Sequence, residues 1–544
     1  MTALNNSNIL EKILEININK IDVSSNLYTD TQIDEWITNK AELKGTKIIL
    51  NNIIKSPINN KELLLNRQKC NINITDDDKE ILKKYENDVL WLYKIDEEIK
   101  ENVSINTLYP STYIIKNLNN IDIFLNFYHL YKIFLIPLMA LISPISIIYG
   151  PYYYLHKYLK ISLREFLNTF INLLKVFFRR TNNLKNDIIK LATIIAYIVL
   201  YIYNIYQTFE YSYLIYKTRD NLINKMNGLC LFINTSLKII NTTNENLWKP
   251  YYIYDTILNN NFIIKNNTSY IYKLWKNEKI KEEITNILKT IYTIDVVNTI
   301  TTIKNNNNWC IVNYSNETKL WGMKNPLLND NQISNPIYLN KNIIITGPNA
   351  GGKTTYVKTF ATNIILSQTL GICLATKANI ILYDSIKTFM RISDILGTSS
   401  YFEAESEHCL NIINTAIKLS NDNKQGLFLL DEPMHSTPPT EGMSLAYGVC
   451  EYISKLKNIK IIITTHFHRL IDLELNYPDK FINLFVDAEY DELNKKYLFN
   501  YKINKGFSKK CIAIELLNTK KYPIEIINSA IKMKNKICNE NYSK

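Results

Sequence analysis

Two short stretches about eighty residues apart hold side chains able to grip and cleave a phosphoanhydride. The first is Gly347-Pro348-Asn349-Ala350-Gly351-Gly352-Lys353-Thr354, a full G-x-x-x-x-G-K-T loop. Its glycines let successive backbone N–H groups close on phosphate oxygens, and a helix starting there adds a favourable field. Lys353 has the reach for β- and γ-phosphates, and the Thr354 hydroxyl can ligate Mg²⁺. Gly347 through Thr355 are therefore the candidate nucleotide-binding residues.

The second stretch is Leu427-Phe428-Leu429-Leu430-Asp431-Glu432, an apolar run ending in two carboxylates. Asp431 can hold Mg²⁺ through water, and Glu432 can orient or deprotonate an attacking water. Adjacent carboxylates at a strand end are also ordinary turn chemistry; the complete phosphate loop upstream favours the catalytic reading. A third run, Ile461-Ile462-Ile463-Thr464-Thr465, ends at His466, which can touch a γ-phosphate and report its loss. Glu432 and His466 are the catalytic candidates, and Thr354 and Asp431 the metal ligands.

These groups need a scaffold. The motif context asks for a strand over Ile343–Ile345, then the loop, then a helix over Thr355–Leu366. With 544 residues the chain has room for two to four domains, and 46% hydrophobic residues can build real cores. A formal charge of +12 suits a polyanionic partner, nucleic acid or an anionic membrane surface. Eight scattered cysteines form no C-x-x-C pair, as expected of reduced thiols in a cytosol-like compartment. The histidines show no zinc spacing, and His466 and His468 would alternate across a strand.

Residues 1–24 read as a polar leader without the design of a secretory signal. Residues 25–305 read as largely helical. Thr75 and Asp78 suggest a capping box before a helix with Ile81, Leu82, Tyr85 and Val89 on one face. Two stretches lack any charge, 23 residues over 133–155 and 19 over 191–209, each long enough to cross a bilayer. Pro137, Pro144 and Pro151 interrupt the first, and Tyr152 to Tyr154 suit an interfacial belt. The linker 156–190 is strongly basic, which opposes the positive-inside rule if an ATP site faces the cytosol. The sequence leaves open a re-entrant element, a hairpin breaking that rule, a soluble arm with a basic tip, or core helices buried in a bundle. Lys304 to Asn308 reads as the linker to a nucleotide-binding domain over 306–544.

The C-terminal part resembles the MutS superfamily, the ATPases of DNA mismatch repair and their relatives. Ile345 through Thr354 looks like that family's form of the loop, and Phe389 through Asp394 resembles the segment before its signature. Ser400-Tyr401-Phe402-Glu403-Ala404-Glu405 is similar to the signature itself. The resemblance implies that Ser400 and Glu405 act on the nucleotide of an opposing subunit. Asp431 to Gly442 matches the Walker B strand end and its loop, and Thr465-His466-Phe467 the histidine switch. Gly506, Ala513, Pro523, Ile526 and Ala530 resemble the helical segment that packs the dimer. Gly45-Thr46, Pro57, Leu64 and Arg67-Gln68 resemble the start of the helical lever.

The resemblance thus implies an α/β P-loop NTPase domain of the ABC/MutS type, preceded by a largely α-helical lever/clamp-like region. Its implied ligands are ATP and Mg²⁺, and its implied partners are a second copy of the chain and DNA. Two departures stand out. The lever-like pattern begins near residue 45, so no mismatch-reading or connector domain is expected, and Pro433 to Pro439 replaces a glycine-rich, arginine-containing stretch. The first apolar segment lies roughly where the family's DNA clamp would be, so a membrane-anchored ATPase whose substrate is not DNA is the alternative. An ABC-type transporter fits less well, because no Leu-Ser-Gly-Gly signature is present.

Overall fold

The computed structural model describes residues 6–14, 20–101, 107–113, 115–179, 184–254, 258, 262–348, 350–389, 401–491, 496–508, 514 and 522–540. The helices that matter below are, in chain order, α1 (Asn26–Thr31), α2 (Lys44–Ile54), α3 (Lys61–Lys69), α4 (Asp76–Glu101), α5 (Ile136–Leu159), α6 (Leu163–Phe177), α7 (Leu184–Thr242), α8 (Glu278–Lys304), α9 (Lys353–Thr369), α10 (Tyr401–Asn421), α11 (Pro439–Lys455) and α12 (Ile524–Glu540). The chain forms two compact units. One comprises Met1–Ile9, Asp77–Lys238 and Leu258–Ile287; the other comprises Leu10–Asp76, Ile239–Ile257 and Leu288–Lys544.

The second unit is built on runs of isoleucine and leucine too continuous for a half-exposed strand, which therefore bury both faces in a parallel sheet. Strand β5 (Asn342–Thr346) is buried at every position, and β9 (Gly426–Asp431) at all but its last. The order of the seven-stranded sheet is β1-β8-β9-β10-β5-β11-β12, where β1 is Asp22–Val23, β8 Ser385–Phe389, β10 Ile459–Thr464, β11 Phe481–Asp491 and β12 Lys496–Lys505. All neighbours run parallel except the β11–β12 hairpin. The register sets Thr464 beside both Ile345 and Asp431, so the strand ends carrying chemistry share one edge. Ligands gather at such carboxyl edges in open α/β sheets. A smaller five-stranded sheet of β2 (Cys310–Tyr314), β3 (Lys319–Met323), β4 (Asn335–Tyr338), β6 (Ile372–Cys373) and β7 (Lys377–Ile380) completes this part. The domain is thus α/β with a mixed sheet, preceded by a largely helical region, as the motif context and the resemblance implied.

Helix α9 follows the phosphate loop and is longer than the 355–366 expectation, and all but a few of its residues are buried. A helix end leaves carbonyls without intrahelical donors, and burial makes each one costly. Here every one is satisfied. Leu366 O takes the N–H groups of Leu370 and Gly371, Gln368 O that of Ile58, and Thr369 O the Arg67 guanidinium at 2.6 Å. Ser367 O and Leu370 O accept the hydroxyls of Tyr314 and Tyr251. Three of these donors, Ile58, Arg67 and Tyr251, come from segments outside the sheet-forming part of the chain.

Arg67 on α3 is buried, also donates to Pro250 O at 3.1 Å, and lies over the Tyr251 ring. Burial pushes its pKa down, opposed by the neighbouring Tyr251. Gln68 donates to Val312 O and Gly371 O. On α2, a Cβ at Gly45 would run into the Tyr292 ring, and Thr46 donates to Asp295 at 2.7 Å. The lever-like signature is therefore a packing signature: it lets α2 lie tight against α8 and ties α3 to α9.

Residues read as a polar leader are partly structural. Leu10 and Leu14 are fully buried, and Asp22–Val23 forms the edge strand β1, whose Asp22 meets Lys387 at 2.5 Å. The domain boundary drawn near residue 306 coincides with the end of α8, yet residues 10–76 pack in the same unit as the sheet. His466 and His468 do not alternate on a strand, because β10 stops at Thr464 and His468 opens a short 3-10 turn.

The other unit is helical. Along α4, Leu82 and Val89 are buried and Ile81 and Tyr85 half-buried, as the periodicity indicated, and Asp78 pairs with Lys238 at 2.9 Å. Helices α5 and α7 run antiparallel side by side. Ser212 Oγ donates to Lys132 O at 3.2 Å, and the Tyr201 hydroxyl reaches Ala140 O and Leu141 O. None of the apolar window of α7 is buried, which removes the buried-bundle reading for these segments.

The Arg67 side chain is the last donor in a closed account. Arg67→Ala takes the donor from one buried carbonyl, Thr369 O, and one part-buried carbonyl, Pro250 O, and should cost about 3 kcal/mol. Chemical denaturation of the purified protein measures this, and a loss below about 1 kcal/mol would contradict the role assigned.

Candidate nucleotide site

The phosphate loop turns where β5 ends and α9 begins. Gly347 has φ +142° and faces the Val486 backbone, where a Cβ would collide with its carbonyl; Gly352 at φ +92° caps α9 in the left-handed region. These two glycines are required by geometry. Ala350 also has φ +66°, an uncommon conformation for a residue with a Cβ. Asn349 lies outside the described residues, as do Ser400, Ala513 and Met390 to Asp394.

Lys353, Thr354, Asp431, Glu432 and His466 converge on this turn. Lys353 is buried, and its ammonium donates to Gly347 O at 3.0 Å and Pro348 O at 3.3 Å. Burial lowers its pKa, opposed by Glu432 and Asp431. Thr354 Oγ1 donates to the Asp431 carboxylate, 3.0 Å from each oxygen, and Asp431 also accepts from the Thr464 hydroxyl. A hydroxyl and a carboxylate held together are hard oxygen donors, which suits Mg²⁺, a cation that keeps several waters and takes few protein ligands. The residues present fit that ion.

Glu432 sits one residue past β9 with φ +51°, and Met434 follows at φ +61°. Left-handed backbone at residues bearing a Cβ costs energy and gathers at functional sites. His466 Nε2 lies 2.7 Å from Glu432 Oε1 and 3.3 Å from Lys353 Nζ. That nitrogen can donate to Glu432 or accept from Lys353, but not both at once. The hydrogen bond from His466 is the main reason the Glu432 carboxyl titrates below its ordinary value; burial opposes it, and the charges of His466 and Lys353 reinforce it. Glu432 is thus held ionised, the form that can accept a proton from water.

Glu405, which the resemblance assigns to an opposing subunit, is 2% exposed and is used within its own chain. It accepts the N–H groups of His435 and Ser436, each at 3.1 Å, and the Ser436 hydroxyl. The Pro433–Pro439 loop is thereby fastened to α10.

Two features escaped the sequence reading. A cavity of about 700 Å³ opens over the loop, reaching Thr355 and Glu432 and walled by Leu328, Ile333, Tyr356 and Tyr501. Its size and mixed lining suit a nucleotide. Tyr501 stands over Gly352 with φ +51°, and its carbonyl is fixed by Asn335, whose side chain also receives Ile503 N–H. The aromatic Phe499 and Tyr501 on a C-terminal hairpin gave the only hint in the sequence. Asp30 on α1 is the second. It lies close enough to Lys358 and Asp431 for their charges to act on it, burial raises its pKa, and its Oδ2 has no hydrogen-bond partner among the described residues.

With this geometry established, likeness to known proteins becomes informative. Residues 343–538 match the family MutS domain V. The DNA mismatch repair protein MutS of Finegoldia magna is 37% identical over 188 residues, 34% of this chain and 21% of that protein. MutS of Alkaliphilus metalliredigens is 31% identical over 283 residues, 48% of this chain and 31% of that protein. The DNA mismatch repair protein Msh3 of Dictyostelium discoideum is 29% identical over 205 residues, 36% of this chain and 14% of that protein. The chain thus spans less than a third of the length of these relatives.

Two outcomes are expected. Tyr501→Ala should weaken ATP binding roughly fivefold, the worth of one aromatic stacking contact of about 1 kcal/mol; titration calorimetry checks it, and unchanged affinity would remove Tyr501 from the nucleotide cavity. A bond to the carboxylate lowers its pKa, so activity needing ionised Glu432 persists as pH falls below the ordinary 4.5 and is lost through the depressed value. His466→Ala should move the acid limb of the kcat/KM profile to higher pH, and an unmoved limb would contradict the pairing.

Proposed function

We propose that this protein is a Mg²⁺-dependent ATPase that acts on DNA as a homodimer, a reading supported by the match of residues 343–538 to MutS domain V, an ATPase domain. The observation that carries the proposal is one cavity large enough for ATP that Lys353, Thr354 and Glu432 line, with Asp431 hydrogen-bonded to Thr354 and His466 to Glu432 behind them. Lys353 and the loop N–H groups receive the β- and γ-phosphates. Thr354 and Asp431 would hold Mg²⁺, which would neutralise charge on those phosphates. Glu432 orients the water and takes its proton as the water oxygen bonds to the γ-phosphorus. The bond to the β–γ bridging oxygen breaks, giving ADP and inorganic phosphate. His466, bonded to Glu432 and beside Lys353, stands where loss of the γ-phosphate can be felt.

The DNA reading is supported by the +12 charge and by the names of the relatives, which are DNA mismatch repair proteins. Contacts of this kind go to phosphate, so binding should be salt-sensitive and largely independent of sequence. The dimer reading is supported by α12, which exposes Ile524, Ile526, Ile531 and Met533 in the segment that resembles the family's dimer-packing helix.

Glu432→Ala should retain ATP binding and lose about a hundredfold or more in turnover, while Lys353→Ala should lose binding itself. Wild-type turnover by the Glu432 variant would contradict the assigned base. Homoduplex, mismatched and branched DNA are then compared as activators, with a non-hydrolysable ATP analogue added to read mass. Turnover indifferent to every DNA would end the DNA reading, and a monomer with the analogue bound would end the dimer reading.

A further inference from the structure

The helical arm over residues 122–219 exposes an apolar surface that nothing in the nucleotide site uses. It has two apolar legs. One runs through α5 and the apolar turns before it, and the other is the first half of α7. The hydrogen bonds from Ser212 to Lys132 O and from Tyr201 to Ala140 O and Leu141 O fix their antiparallel register. Extended along both helices, that register sets Ile133 roughly opposite Phe209 and Leu155 roughly opposite Lys190. The two charge-free stretches, 133–155 and 191–209, therefore lie side by side over most of their length. At 1.5 Å per residue they are about 34 Å and 28 Å long, against about 30 Å of bilayer hydrocarbon.

Charge and aromatic residues mark both ends of this slab. Lys132, Lys217 and Arg219 stand at the base, with Tyr131, Tyr213 and Tyr216. Lys157, Lys160 and Lys190 stand at the tip, with Tyr153, Tyr154 and Tyr158. Tyrosine and lysine at both limits is the pattern of a membrane–water boundary. Between those limits the described surface carries no charge, and exposed polar groups such as Ser146, Thr193, Asn204 and Gln207 are few among the apolar ones. Tyr197, Ile198, Val199 and Leu200 are consecutive and each more than half exposed, so a whole turn of α7 is apolar on every face. A protein partner covers one stripe of a helix, and a solvated helix keeps a polar face. DNA asks for lysine or arginine, of which these stretches have none.

At the tip, α6 begins with a complete capping box between Ser162 and Glu165 and sets Phe166 against Tyr152 at 5.4 Å between ring centroids. Arg164, Asn168, Asn172 and Lys175 line one face, spaced for a helix, while Leu163, Leu167, Ile171 and Leu174 are exposed on the other. Such a helix lies in the plane of an interface.

We infer that residues 131–159 and 184–216 are the two spans of a hairpin inserted in a lipid bilayer, with α6 lying on the far interface. Its cations, Lys157, Lys160, Arg164, Lys175 and Arg179 against Glu165, meet the phosphates of that leaflet. The usual bias toward positive loops on the near side is outweighed by the two matched uncharged spans, which leave no other arrangement with every apolar face in hydrocarbon.

The test adds purified full-length protein in detergent to preformed vesicles of phosphatidylcholine with a fifth phosphatidylglycerol, removes the detergent, and floats the vesicles on a density gradient. The protein should float, resist extraction at pH 11, and yield a trypsin-protected fragment covering roughly residues 133–216. The double variant Leu141→Lys with Val199→Lys should lower the floated fraction at least tenfold while ATP binding, read separately, is unchanged. Three results would overturn the inference: extraction at pH 11, which means surface attachment only; cleavage of the tip lysines in sealed vesicles; or a detergent-free soluble dimer, which means a second copy covers the arm. A double variant that still floats also overturns it. The protection assay needs no variant, so it stands if the double variant misfolds, and an intact arm with no ATP turnover separates this inference from the ATPase reading.

Discussion

One guanidinium holds the nucleotide-binding unit together from behind. Helix α9 starts at the phosphate loop and ends about 25 Å away at Thr369, whose carbonyl accepts Arg67. The two ends have opposite electrical needs. The amino end presents N–H groups to an anion, and the carboxyl end presents carbonyls that must be answered by donors. Those donors are Arg67, Tyr251, Tyr314 and the Ile58 amide. Removing the segments that carry them would leave the most buried helix of the fold with an unsatisfied terminus. The α/β sheet and residues 10–76 are therefore one folding unit, although they are far apart in the chain.

The same logic explains what could be read from residue types. The loop from Gly347 to Thr354 was legible because its chemistry is local: a turn, two glycines at positive φ, and a helix start are all set by neighbours in sequence. The isoleucine runs of β5, β9 and β10 were legible because strands buried on both faces lose their alternation. Asp431 does end a strand, and Glu432 and His466 follow one and two residues past β9 and β10, since the parallel register carries such ends to one edge.

Other parts could not be read because they are non-local. Val23 looks like any residue of a polar stretch until Ile386 supplies its hydrogen-bonding edge. Leu10 and Leu14 carry no periodic signal long enough to announce burial. Tyr501 becomes part of the nucleotide cavity only because the β11–β12 hairpin folds back over Gly352. Asp30 lies hundreds of residues from Lys358 and Asp431, the charges that give it meaning. Conversely, the arm over 122–219 was read as several possibilities because hydropathy alone does not distinguish a core helix from one that meets lipid. Exposure all round the apolar first half of α7 removes the core-helix reading.

The tether between Glu405 and the turn after Glu432 has a mechanical consequence. Glu405 sits on α10, and its two carboxylate oxygens hold the amides of His435 and Ser436, two and three residues beyond Pro433. The intervening backbone is already wound the wrong way at Glu432 and Met434, so it has little slack to give. A sideways step of α10 would either break those hydrogen bonds or carry the turn and Glu432 with it. The turn and α10 are thereby coupled.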